Sequence, residues 1–130
     1  MRRVVVQTAL IWFIGLNLLV VLTLGQPAPA GAQGIWPWTS YRLVTEEDLA
    51  PLSLRDLEIM RNEIYARRGW VFARPELQGY FERQPWYRPK GTPANREEAN
   101  RWAAAELSRL ERQNIARIQA FERTRRAFGR

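Results

Sequence analysis

The chain has 130 residues, with 20 basic against 13 acidic side chains, and contains neither cysteine nor histidine. The missing cysteines exclude disulfides, thiolate nucleophiles and cysteine metal sites, and the missing histidines remove the usual general base near neutral pH and the commonest transition-metal ligand. Carboxylates are left as the main catalytic option, and no cofactor or metal is expected.

The net charge of +7 is unevenly placed: Arg2 and Arg3 carry two charges, Arg123, Arg125, Arg126 and Arg130 carry four, and residues 40–122 sum to 14 − 13 = +1. The part expected to fold is nearly neutral, so nucleic acid is not an expected partner.

In chain order, MRR is followed by a mostly apolar run from Val4 to Leu24 and then by PAPAGAQG. Ala30-Gly31-Ala32 offers the small, x, small pattern of a signal peptidase site, which makes 1–32 a signal peptide. As a helix the run would measure about 30 Å, enough for a retained anchor instead. Either way the basic end stays inside and the rest goes outside, periplasmic or secreted, or anchored to the inner membrane with the domain outside. A membrane contact is expected only if the segment stays uncleaved. Residues 33–44, with Pro37 between Trp36 and Trp38, read as an extended linker whose tryptophans cover the domain.

The helical domain is expected over 45–122. Thr45 precedes three acids and starts a short helical turn. Ser53 and Asp56 form a capping box for a helix over Leu54 to Arg68, with Leu57, Met60 and Ile64 on one face and Gly69 as its left-handed cap. Pro75 opens a short helix presenting Leu77, Tyr80 and Phe81, and Trp86-Tyr87-Arg88-Pro89 follows as extended chain. Asn95, with Glu98 three residues on, begins one long helix whose inner stripe runs through Ala99, Ala103, Leu107, Leu110, Asn114, Ile118 and Phe121. Glu111 and Arg112 are expected on its solvated outer face, and 123–130 is a basic tail that continues in helical register for a turn or two and then frays.

The fold class implied is mostly α: a small helical domain, preceded by the N-terminal apolar helix, in which the Ser53 and Asn95 helices flank an aromatic layer of Trp70, Phe72, Tyr80, Phe81, Trp86 and Tyr87. The stretch RNEIYARRGWVF is too rich in charge for a plain surface helix. Glu63 is within helical reach of Arg67, and a buried carboxylate is tolerable only when paired. Arg61, Asn62, Glu63, Tyr65, Arg67 and the solitary Asn114 therefore make up the motif network, in which Arg61, Asn62, Glu63, Arg67 and Asn114 form a polar knot holding the helix and the loop after Gly69 in register.

The blocks LSLRDLEIMRNEIYARRGWVF, PELQGYFERQPWY and LERQNIARIQAFE, in that order, resemble the YARHG domain, a module of bacterial extracytoplasmic proteins. The resemblance spans about Ser40 to Glu122. Arg68 stands where that family's name-giving histidine would be, which argues against a histidine-dependent site; the stretch from Thr92 to Leu107 also looks longer and more helical than the family's usual connection. The resemblance implies an envelope module without an assigned activity.

The function expected is a non-catalytic envelope binding or protein-interaction module, with Arg68, Trp70, Trp86 and Tyr87 as the candidate surface for a cell-wall polymer or an envelope protein. Two alternatives stand beside it. One is a glycan hydrolase using carboxylates such as Glu63 and Glu76; the other is an electrostatic binder of anionic polymer through the basic tail.

Overall fold

The computed structural model describes residues 34–129. The apolar run and the cleavage site read from residues 1–33 lie outside them, as does Arg130.

Five α-helices follow a 3-10 turn at Pro37–Ser40: α1 Glu46–Leu49, α2 Leu54–Arg67, α3 Pro75–Glu82, α4 Arg96–Glu106 and α5 Arg109–Phe128, with a second 3-10 turn at Pro93–Asn95 before α4. The described residues contain no strand, and none of their helices is long and apolar enough to cross a membrane.

Local chemistry sets the starts. Reciprocal capping boxes open α1 (Thr45 with Asp48), α2 (Ser53 with Asp56) and α5 (Ser108 with Glu111), each satisfying two backbone N–H groups that a bare helix end would leave unbonded. Pro75 opens α3 where its missing N–H is harmless. Gly69 ends α2 at φ +83°, and a Cβ there would lie 2.8 Å from the Arg88 carbonyl oxygen. The close approach lets the Lys90 N–H reach the Gly69 carbonyl at 2.8 Å.

The expected single helix from Asn95 onward is two. Leu107 is extended at ψ 127°, and Ser108 starts a new helix. A hydroxyl three residues before a carboxylate competes with the running helix for the same N–H groups and here prevails, although the apolar stepping continues across the break. The Asn95 side chain turns back to accept the Thr92 N–H at 2.7 Å rather than capping with Glu98. The basic tail keeps the helical register expected of its first turn or two: α5 runs to Phe128, and Arg125 donates to the carbonyls of Leu52 and Ala50.

Helices α2 and α5 make the main helix pair. Their shared core is mostly aliphatic, built from Leu57, Met60 and Ile64 of α2, Ile115 and Ile118 of α5, and Val44, Leu49 and Leu107. The rings of the expected layer are elsewhere. Phe72, Phe81 and Tyr87 join Ile59, Ala66 and Leu77 in a second cluster, with Phe72 and Phe81 stacked at 4.8 Å between centroids. The aromatic layer is thus not flanked by the two long helices. It packs with α3 on another side of α2, because Ile59 and Ala66 present a second apolar face to it.

Burial on two sides explains the composition of α2. Seven of its 14 residues are buried, including Asn62 and Glu63, so polar side chains on it cannot all reach water and must bond to protein.

Candidate functional site

The polar groups of α2 converge on the segment before α1. The Glu63 carboxylate accepts the N–H groups of Ile35 (2.8 Å) and Trp36 (2.9 Å) and pairs with Arg67 at 2.9 Å, with the two side chains 1% and 2% exposed. Arg67 donates onward to the Thr39 hydroxyl at 2.6 Å, which itself donates to the Trp36 carbonyl at 2.8 Å. From α5, Asn114 grips the same segment: its amide donates to the carbonyls of Thr39 and Arg42, each at 2.8 Å, and its oxygen accepts the Val44 N–H at 2.9 Å. All three of these bonds hold backbone groups that a buried chain would otherwise leave unsatisfied.

Residues 35–44 are therefore docked into the fold rather than forming a linker. Thr39 and Val44 are buried, and Trp36 and Trp38 pack on the aliphatic core, as covering tryptophans should. Arg42 lies 3.8 Å over the Trp38 ring and pairs with Asp48 at 2.7 Å. The docking requires glycine at its start. Gly34 has φ +113°, and a Cβ there would fall 2.1 Å from the Glu63 carboxyl carbon. Gly34→Ala is expected to loosen this segment, read as faster limited proteolysis within residues 34–44 while α2 and α5 stay protected.

The knot holds a different target from the one its spacing suggested. Glu63, Arg67 and Asn114 meet at Thr39, but Asn62 donates only to the Glu58 carbonyl of its own helix and Arg61 pairs with Glu122 of α5, each at 2.8 Å. The loop after Gly69 is held instead by Asn100, which bonds both the N–H and the carbonyl of Val71 at 2.8 and 2.9 Å, and by Gln78, which accepts the Phe72 N–H.

Arg68 belongs to a second polar cluster. It forks onto Glu111 at 3.1 and 2.8 Å, and that carboxylate also accepts the Ser40 hydroxyl and the Ser108 N–H. Glu111 is thus fully buried and not on the solvated face where the helical stepping placed it. The signal for it was present in the Ser108–Glu111 capping pattern; Thr39 and Ser40 carried none.

The buried carboxylates of these two clusters, Glu63 and Glu111, are tuned in opposite directions. Burial pushes the Glu63 carboxyl above its ordinary value, against the N–H donors and the Arg67 charge, and burial likewise pulls Arg67 down. Burial acts upward on Glu111 too, but Arg68, the Ser108 N–H and the Ser40 hydroxyl outweigh it and hold the carboxyl below the ordinary 4.5. A depressed carboxylate contributes stability that is present above its unfolded value and lost as pH falls through the folded one. Glu111→Gln is thus expected to lower the melting temperature at pH 7 and to flatten its decline as pH falls below the ordinary carboxylate value, measured as melting temperature against pH.

The candidate surface is only partly a surface. Tyr87 is 5% exposed in the aromatic cluster, with its hydroxyl donating to the Trp70 carbonyl, so it cannot stack on a ligand. Arg68 is occupied by Glu111. Trp70 and Trp86 are half-buried, Trp70 against Tyr65 at 4.8 Å and Trp86 against Phe81 at 6.1 Å, each leaving part of its ring accessible. Sequence reasoning passed over Trp102, which is 63% exposed on α4. The two acids of the hydrolase alternative differ in setting, Glu63 being sealed in its ion pair and Glu76 lying 68% exposed beside Arg74. No three acidic side chains among the described residues gather as a metal site requires. A hollow of 470 Å³ lies away from the motif, between Val44, Leu49, Arg117 and Phe121.

No curated protein and no solved structure matches the chain. The family model of the YARHG domain matches residues 32–123, a span that begins just before the docked segment and ends just after Glu122. With more than half of its 130 residues covered in one stretch, the chain belongs to the YARHG domain family.

Proposed function

We propose that this protein is an exported, non-catalytic interaction module of the cell envelope that binds a cell-wall polymer or an envelope protein. The leader-like N-terminal sequence supports export. The observation that carries the reading is the disposition of the polar motif: Glu63, Arg67, Arg68, Glu111 and Asn114 bond to one another or to the chain before α1 and act as internal ties. Reactive groups need access to a substrate, and these side chains face other parts of the domain. Three tryptophans keep ring surface for a ligand: Trp102 is exposed, and Trp70 and Trp86 are half-buried. Rings of this kind supply stacking area for sugars or apolar anchors for a protein partner.

The test is cosedimentation of the purified chain with insoluble peptidoglycan, beside crosslinking in whole cells. Trp86→Ala and Trp102→Ala are expected to reduce capture at unchanged helicity. Capture unaffected by both, or release of soluble glycan fragments that grows with time, would replace this reading with another surface or with the hydrolase.

A further inference from the structure

Formal charge balance conceals a segregation that only the fold reveals. Helix α5 carries two acids, Glu111 and Glu122, and both are buried, at 0% and 3% exposure, paired with Arg68 at the end of α2 and with Arg61 within it. Its arginines at 109, 112, 117, 123 and 126 are all exposed. The outer face of α5 is thus cationic along a helix of about 30 Å, with Gln113, Ala116, Gln119 and Ala120 between the charges and no exposed acid. Glu46 of α1 is the acid that shares the hollow with Arg117, whose guanidinium is also tied to the Val44 carbonyl at 3.0 Å. At the far end Phe128 stands 85% exposed, in a hollow it shares with Phe121, Thr124 and Arg125.

The geometry points to this face of α5 as a docking surface for an anionic phospholipid bilayer. Arginines exposed along one helix match a planar array of phosphates, and an exposed phenylalanine at the end of that helix suits the boundary between headgroup and acyl chain. The inference rests on the exported reading, because the apolar run then places the domain at a membrane. Residues 25–33 are nine links between Leu24 and Gly34 and reach at most about 30 Å, so a retained anchor keeps a domain of about 12 Å radius of gyration within contact distance of the bilayer on any side. Nucleic acid fits the arginines but neither the phenylalanine nor that compartment.

The full chain suits a direct test, since it lacks cysteine and accepts one thiol-specific fluorophore through Ala116→Cys on the exposed face. Reconstituted in phosphatidylcholine vesicles with and without phosphatidylglycerol, the label is expected to lose acrylamide quenching only in the anionic vesicles. Quenching should return as salt rises from about 0.1 to 0.5 M, and in the variant Arg112→Gln, Arg117→Gln, Arg123→Gln at unchanged helicity. Equal quenching in both vesicle types, or protection that survives the triple substitution, overturns the proposal. So does duplex DNA that shields the label in neutral vesicles as fully as phosphatidylglycerol does. Export is separable: a domain that resists external protease in intact spheroplasts refutes the exported reading while leaving the vesicle result standing.

Discussion

Replacing Glu63 by alanine is expected to lower the thermal midpoint by about 12 °C or more. The carboxylate and its Arg67 partner are 1% and 2% exposed, so removing one leaves a guanidinium in a place water does not reach. Breaking a buried pair in this way costs about 3–5 kcal/mol, against about 0–1 kcal/mol for an exposed one. In a small domain each kcal/mol moves the midpoint by about 4–8 °C. The N–H groups of Ile35 and Trp36 lose their acceptor at the same time, but Ile35 is 61% exposed and its N–H can turn to water, so the guanidinium decides the size of the loss. A calorimetric shift of only a degree or two would mean that the pair is open to solvent and that the docked segment contributes little.

Asn114→Leu is the second. Leucine fills the space and continues the apolar stripe of α5, so by composition the change looks favourable. It strips three bonds from the backbone of residues 39, 42 and 44, and the Val44 bond is fully buried. A buried group left without its partner costs about 1–3 kcal/mol, so a loss of at least about 2 kcal/mol in urea unfolding is expected. The two substitutions share a target. Glu63 and Asn114 hold the same ten residues through Thr39, one from α2 and one from α5, so freeing the segment at one grip removes part of what the other grip holds. The double variant is expected to lose less than the sum of the singles, by about 1 kcal/mol or more. Strict additivity in that cycle would show two independent contacts rather than one clamp.

Helix starts were legible because they are local: Thr45, Ser53 and Pro75 act on N–H groups within a turn of themselves, and the backbone obeys. The pairing of Glu63 with Arg67 was legible for the same reason, being four residues apart on one helix. The break at Leu107 was equally local but masked, since the apolar stepping runs straight across it and periodicity does not register a competing cap. Glu111 was misplaced because its depth depends on Arg68, 43 residues away.

The amino-acid order alone determined that the domain is helical, that its charged motif had to be paired if buried, and that it belongs to the family its spaced blocks resemble, since caps, periods and i to i+4 pairs are properties of neighbouring residues. Tertiary structure alone decided that α2 is covered on two sides, that the motif clamps the chain before α1 rather than the loop after Gly69, and that both acids of α5 turn inward while five of its arginines face water. Those outcomes follow from which distant segments exclude water from one another, and long-range burial leaves no mark on spacing along the chain.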